Sequence, residues 1–139
     1  MLTLRKILNN MISIIKTSDF NVKLKVTIHS SGRLGFTADT AAKLDLSDRT
    51  FIKFAKDDEI DNELFMVFVD KEDEDTFKVI KSGNYFYLQT TAMFQSFGYD
   101  FKKFNIMFDM VRMSDYDKIV NGKVYKLNKR IVMRKGKQS

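Results

Sequence analysis

The order of the predicted strands and helices occurs twice along the chain, and this repetition limits the possible folds more than any other feature. Residues 21–70 contain two strands, a short helix and two more strands, judged from the spacing of their apolar residues. Residues 76–132 show the same order, and Ser31-Gly32 aligns with Ser82-Gly83. We therefore predict a β-rich α+β fold of two strand-strand-helix-strand-strand units within one domain, 1–139.

The first unit opens with a strand whose two faces differ in character. Apolar side chains alternate with polar ones over residues 21–29, and the polar face carries Lys23 and Lys25. After the next strand, Thr37 precedes a short helical stretch and can cap it. The pattern indicates a half-buried strand with a basic outer face.

Two flanking segments lie outside the repeated units. Residues 1–19 have apolar residues at helical spacing, including Leu4, Ile7, Leu8 and Met11, which predicts an amphipathic helix that packs on the core or on a partner. Asn9-Asn10 interrupt this apolar run, so it does not resemble a signal peptide. Residues 133–139 form a predicted basic tail.

Composition excludes several classes of protein. The sequence contains no cysteine, which excludes disulfides, thiolate nucleophiles and sulfur-ligated zinc. Its longest unbroken apolar run, 64–69, is far shorter than the roughly 20 residues that span a bilayer. From these features we expect a cytoplasmic protein that has no membrane partner.

Charge is distributed very unevenly. Residues 1–56 have ten Lys and Arg against four Asp and Glu, and residues 118–139 have eight against none. The middle, 57–117, has six basic residues against fourteen acidic ones. Such a distribution can attract a polyanion to one side of a molecule and repel it from another.

A turn with Gly32 followed by Arg33 is the most specific local feature. Glycine permits a positive φ at a turn between strands, and an arginine directly after it can bind phosphate oxygens with two donors. The surrounding segment 24–54 resembles the swapped-hairpin DNA-binding domain of AbrB- and MraZ-type regulators. The matching positions are Gly32, Arg33, Leu34, Phe36, Leu44 and Leu46.

The resemblance implies a fold, a function and an oligomeric state. It implies a swapped-hairpin barrel that binds double-stranded DNA, and a second copy at 76–113 implies the tandem arrangement of the MraZ branch. Because each such unit needs a second one to close its barrel, either the two halves or two chains pair, and we expect a homodimer. Three departures from the family pattern remove expected positive charge: Ser31, Ala41, and Asn84 in the second copy. Two others, Thr37 and Thr40, replace a proline and a buried apolar residue of the family.

The predicted function is therefore nucleic-acid binding, with double-stranded DNA favoured and a role in transcription regulation. Lys23, Lys25 and Arg33 would contact phosphates from the strands, although Arg33 could instead pair with a carboxylate such as Asp48. The C-terminal contacts would come from Lys126, Lys129, Arg130, Arg134 and Lys135.

Two other functions stay open. Tyr85 and Tyr87 alternate onto one face of a predicted strand, where their rings could stack unpaired bases of a single-stranded nucleic acid. A protein-interaction or structural module would instead use the apolar face of the N-terminal helix.

Enzymatic chemistry has little basis in the sequence. His29 is the only histidine, and we find no glycine-rich phosphate loop or nucleophile elbow. The acidic segments 57–63 and 70–75 lack the spacing and glycine of a calcium loop, so solvated turns are the better interpretation. We expect no catalytic residues, metal, cofactor or small-molecule substrate.

Overall fold

The computed structural model of the chain describes residues 12–15, 23–57 and 63–134. Nine strands and three short helices lie in these ranges. The strands are β1 (Leu24–Ile28), β2 (Leu34–Phe36), β3 (Phe51–Lys56), β4 (Leu64–Val69), β5 (Phe77–Lys78), β6 (Ile80–Ser82), β7 (Tyr85–Leu88), β8 (Phe104–Arg112) and β9 (Lys123–Met133). The helices are α1 (Ala38–Lys43), α2 (Thr91–Ser96) and α3 (Asp117–Val120).

The predicted order of strands and helices is found in the first half. In the second half the first predicted strand is divided into β5 and β6, and a 3-10 turn (Ser114–Tyr116) followed by α3 lies between β8 and β9, where no helix was predicted. Residues 12–15 are exposed and lack regular secondary structure, and the other residues of the helix predicted at 1–19 lie outside the described ranges. No helix in the part of the chain that the structure describes is long and apolar enough to cross a membrane.

All nine strands belong to one antiparallel sheet that is nearly closed like a barrel. The strand order is β5-β3-β4-β9-β8-β1-β2-β7-β6. The two outermost strands, β5 and β6, are separated along the chain by Val79 alone, so the two ends of the sheet meet there. The Val79 N–H donates a hydrogen bond of 3.0 Å to the carbonyl oxygen of Thr50, which continues the pairing with β3.

Strand pairing is the same when the two halves of the chain are exchanged. The hairpin β1–β2 corresponds to β6–β7, and the hairpin β3–β4 corresponds to β8–β9. Between the halves, the pairing of β1 with β8 corresponds to the pairing of β5 with β3, since β5 and β6 together correspond to β1. The halves also join where β2 pairs with β7 and β4 with β9, each strand meeting its own counterpart.

The core combines residues from both halves around Phe94 of α2, which is fully buried. Its ring stacks on Tyr99 and on Phe108 of β8, with centroids 5.6 and 6.2 Å away. It also meets Phe54 of β3 edge to face at 6.4 Å. Because these aromatic contacts connect α2 with strands from both halves, the halves share one core.

Two buried threonines form polar links inside this core, and they are the only fully buried polar side chains among the described residues. Thr40 of α1 accepts a 2.8 Å hydrogen bond from the Lys25 N–H and shares another with Thr37, which caps α1 as predicted. Thr90 Oγ1 donates to the carbonyl oxygen of Gly32 at 2.9 Å and accepts from the Leu34 N–H at 3.0 Å. Thr90 thus fixes the second half to the turn before β2.

Replacing Thr90 with valine should destabilise the fold. Valine keeps the shape of threonine but leaves a buried N–H and a buried carbonyl oxygen without their partner, at a cost of about 2 kcal/mol. Urea unfolding followed by circular dichroism measures the change. Thr91→Val is the matched control, because the Thr91 hydroxyl bonds only the Ser31 carbonyl oxygen at a site that water can reach. Equal stability of the two variants would contradict the role assigned to Thr90.

Candidate nucleic-acid interface

The pairing of β2 with β7 places Arg33 on the ring of Tyr87, and both are candidate binding residues predicted from the sequence. Gly35 lies opposite Tyr87 in this pairing, and Arg33 directly precedes β2. The guanidinium carbon of Arg33 lies 4.7 Å from the centroid of the Tyr87 ring, which is a cation–π contact. Arg33 remains exposed to solvent in this position. The alternative that Arg33 pairs with Asp48 is not observed, since the structure shows no such salt bridge in the described ranges.

Tyr87 belongs to a row of side chains that we call the tyrosine column, defined by Arg33, Tyr87, Tyr85 and His29. Tyr85 and Tyr87 are stacked with ring centroids 5.4 Å apart and planes at 22°. The ring of His29 meets Tyr85 edge to face at 5.5 Å. The column therefore combines three strands, since His29 follows β1, Arg33 precedes β2 and both tyrosines lie in β7.

Gly35 makes room for the column. A Cβ atom at this position would collide with Nε2 of His29 and would lie 2.5 Å from the hydroxyl oxygen of Tyr85. Gly32 has a φ of 88°, as the sequence predicted for the turn, and a Cβ there would lie 2.8 Å from the Thr91 side chain. Gly35 thus leaves space for the column itself, whereas Gly32 is needed for the positive φ of the turn and for its close approach to the Thr91 backbone.

Electrostatics at the column favour an anion. Desolvation lowers the pKa of His29, and the nearby positive charge of Arg134 lowers it further. Burial raises the pKa of Tyr85, and its hydroxyl, which is protonated at neutral pH in any tyrosine, can donate a hydrogen bond. No carboxylate forms a salt bridge with Arg33, Arg134 or His29 in the described part of the chain.

The outer face of β1 extends the surface of the tyrosine column toward Lys23 and Lys25, which are predicted from the sequence as phosphate contacts. Thr27 of β1 lies opposite Gly35 on one side and Met107 of β8 on the other. Lys25 occupies the same face two residues earlier, and Lys23 is exposed just before the strand. Neither lysine makes a salt bridge within the described ranges, so both charges are available to a ligand.

The basic residues of the C-terminal region have different surroundings from those of β1. Lys126 pairs with Glu63 at 2.7 Å, and Arg130 binds both carboxylate oxygens of Asp109 at 3.1 Å. The ammonium of Lys129 lies 4.5 Å from the ring centroid of Tyr99. Lys126 and Arg130 are therefore already paired with carboxylates, which reduces their value for binding phosphate, whereas Lys129 lies on an aromatic ring as Arg33 does and keeps its charge.

Arg134 is the exception, because it lies near the column. Its guanidinium donates to the carbonyl oxygens of Phe101 at 3.0 Å and of Ile28 at 3.3 Å, directly before His29. The structure thus brings Arg33, Tyr85, Tyr87 and Arg134 together, with Lys23 and Lys25 on the adjoining face. Lys135 lies outside the described residues.

His29 was not predicted as a site residue, although it contacts Tyr85. Its position at the end of the polar face of the predicted strand 21–29 gave only a weak signal, because the contact depends on β2 lying between β1 and β7. In the acidic segments, 70–75 is an exposed turn in which Asp73 pairs with Lys53 at 2.5 Å. No group of acidic or histidine side chains in the described ranges could hold a metal ion.

Comparisons with models of protein families, with curated proteins and with solved structures give no match to this chain.

The stability of the fold should depend on pH through His29. A folded-state pKa below the ordinary value of 6.5 means that the unfolded chain binds the proton more tightly, so acid favours unfolding. We expect the free energy of unfolding to decrease as pH falls through 6.5 toward the lowered pKa. His29→Gln should flatten this dependence, since His29 is the only histidine. Urea unfolding at several values between about pH 7.5 and 5.5 tests this, and equal slopes for both proteins would contradict it.

Proposed function

We propose that this chain is a non-enzymatic nucleic-acid-binding module that binds the phosphate backbone of double-stranded DNA through the tyrosine column and the outer face of β1. The observation that carries this proposal is the exposed Arg33 guanidinium held on the ring of Tyr87. A guanidinium restrained in this way loses less side-chain entropy when it binds a phosphate with two donors. Lys23, Lys25 and Arg134 add positive charge on the same side.

The packing of the column favours phosphate contacts over base stacking. Tyr87 has Tyr85 stacked against it and the Arg33 guanidinium over its ring, and Tyr85 also packs against His29. An incoming base would have to displace one of these partners before it could stack on a tyrosine. The tyrosines therefore serve mainly to position Arg33, and phosphate is the group that the column can bind without rearrangement.

A swapped-hairpin arrangement is part of the same proposal. Strands of each half pair with strands of the other through β1–β8, β3–β5, β2–β7 and β4–β9. This pairing supports two diverged units that close on each other within one chain, and the resemblance of 24–54 to AbrB- and MraZ-type domains then suggests a role in transcription regulation. A homodimer would need a further interface beyond these pairings.

Binding of single-stranded nucleic acid is the second candidate, and the adjacent tyrosines favour it. Tyr85 and Tyr87 are half-buried, so part of each ring reaches solvent. The plane of the Arg33 guanidinium on Tyr87 also offers a surface on which an unpaired base can stack. In this case the aromatic side chains, rather than the cations alone, would determine affinity.

Removal of Arg33 should weaken duplex binding about tenfold and reduce the salt dependence. Each phosphate contact contributes roughly −0.9 to the slope of log affinity against log salt, so Arg33→Ala should make that slope less negative by about this amount. Fluorescence anisotropy with labelled duplex and single-stranded oligonucleotides, at about 50 and 200 mM salt, measures both quantities. Lys71→Ala is the charge-matched control, because Lys71 lies in the exposed acidic turn.

A second variant separates the two candidates. Tyr87→Leu keeps Arg33 but removes the ring beneath it, so it should weaken duplex binding less than Arg33→Ala does. A larger loss for single strands than for duplex in Tyr87→Leu would favour the single-strand candidate instead. Absence of binding to either oligonucleotide at the lower salt concentration would refute the proposed function. Circular dichroism confirms that each variant is folded.

A further inference from the structure

A concave pocket lies on the other side of the barrel from the tyrosine column. It has a volume of about 600 Å³ and opens beside β4 and β9, between the end of α1 and the segment containing α3. In the strand order, β8 and β1 separate β9 from β2, and β3 with β5 separates β4 from the strands of the column. The pocket is therefore distinct from the proposed nucleic-acid interface.

Four cationic side chains line this pocket, and they come from separate parts of the chain. Lys43 lies in the last turn of α1, Arg49 in the turn before β3, Lys118 in α3 and Lys123 at the start of β9. None of the four forms a salt bridge or a cation–π contact in the part of the chain that the structure describes. All four residues are exposed, so water weakens their mutual repulsion, but together they give this concave surface a positive potential that attracts anions.

Acidic side chains in the pocket offset these charges only in part, because Lys123 interacts electrostatically with Asp117 but that carboxylate is chiefly bound by Arg112. Asp117 is already bound by both terminal nitrogens of Arg112, at 2.7 and 2.5 Å, and it accepts the Val124 N–H at 3.0 Å. These contacts, chiefly the hydrogen bond from Arg112, lower the pKa of Asp117 to about 2. Asp70 is the other carboxylate in the lining, so four cations face one carboxylate that has no salt bridge within the described ranges.

In the wall of the pocket, the backbone at Gly122 packs directly against the backbone of β4. Asn121 adopts a left-handed conformation with a φ of 55°, and a Cβ at the following Gly122 would lie 2.6 Å from the carbonyl oxygen of Phe68. Only glycine fits this approach, which holds the chain between Lys118 and Lys123 close to β4. The positions of these two lysines therefore follow from a fixed turn.

From these observations we infer a second site, which binds a small molecule that carries two or more linked phosphate groups, of the size of a nucleoside diphosphate. The volume lies within the range of roughly 300–1,000 Å³ that is usual for small-molecule sites. Several converging Lys and Arg side chains are the groups that bind phosphate oxygens. A small ligand fits the concave pocket better than the backbone of a DNA duplex does. A duplex is more easily contacted by an outward-facing surface such as that of β1.

Isothermal titration calorimetry of the full chain with pyrophosphate and with ADP tests this inference. Wild-type protein should bind both, and the double variant Arg49→Ala with Lys123→Ala should lose at least about tenfold in affinity. The matched control is Lys102→Ala with Lys103→Ala, which removes the same charge from exposed positions elsewhere and should bind as wild type does. Asp70→Asn should bind more tightly, because it removes a carboxylate that repels the ligand.

Several results would overturn the inference, and they differ from failure of the proposed function. Failure of the wild-type protein to bind either pyrophosphate or ADP would overturn it. Equal losses of affinity in the pocket and control variants would also overturn it, because they would indicate nonspecific electrostatic attraction. Loss of oligonucleotide binding in the pocket variant without any binding of ADP would assign the pocket to nucleic acid instead. Oligonucleotide binding that depends on Arg33 but not on Arg49 and Lys123 keeps the two sites separate. Thermal unfolding without ligand shows that the variants are folded.

Discussion

The pairing of β2 with β7 is the contact on which most of this structure depends. It comprises three residue pairs between short strands that lie about 50 positions apart in the chain, and Thr90 reinforces it through a buried hydroxyl. Such a short pairing could not persist alone, because closing so long a loop costs more entropy than a few hydrogen bonds return. It persists because the shared core around Phe94 and the second junction, β4 with β9, hold the halves together. The same pairing sets Arg33 on Tyr87, so fold closure and the candidate interface have one origin.

Alternation and turn chemistry were sufficient to predict most of the strands and the helices α1 and α2, but not α3 or the partners of the strands. The alternating residues around Val26 and the glycine at position 32 act locally, and so the strands and the positive φ could be predicted from neighbouring residues. The placing of Tyr85 and Tyr87 on one face follows equally from the period of a strand. That Arg33 covers Tyr87 could not be predicted, since nothing within either short segment specifies which distant strand pairs with it.

The basic residues available for binding were also predicted only in part, because the sequence does not show whether a positive side chain is already paired with a carboxylate. Lys126, Lys129 and Arg130 form the densest basic run in the described part of the chain, yet Lys126 and Arg130 are paired with carboxylates from other parts of the chain. The cations without such partners, including Lys25 and Arg49, are scattered through the sequence and give no local signal. Folding pairs some charges and leaves others free, and that selection determines where an anion can bind.

The repeated architecture explains how one chain can build an asymmetric surface on a nearly symmetric barrel. Gly32 and Gly83 hold equivalent turns, and both have positive φ, but Arg33 follows the first where Asn84 follows the second. Across the junction of equivalent strands, Gly35 of β2 faces Tyr87 of β7, so one half contributes the arginine and the space while the other contributes the rings. Two identical subunits could not make this division, because any residue present on one side would also be present on the other. Because the two halves differ in sequence, each member of the column differs from the residue at the equivalent position of the other half, and Arg33 is held by a ring that its own half does not supply.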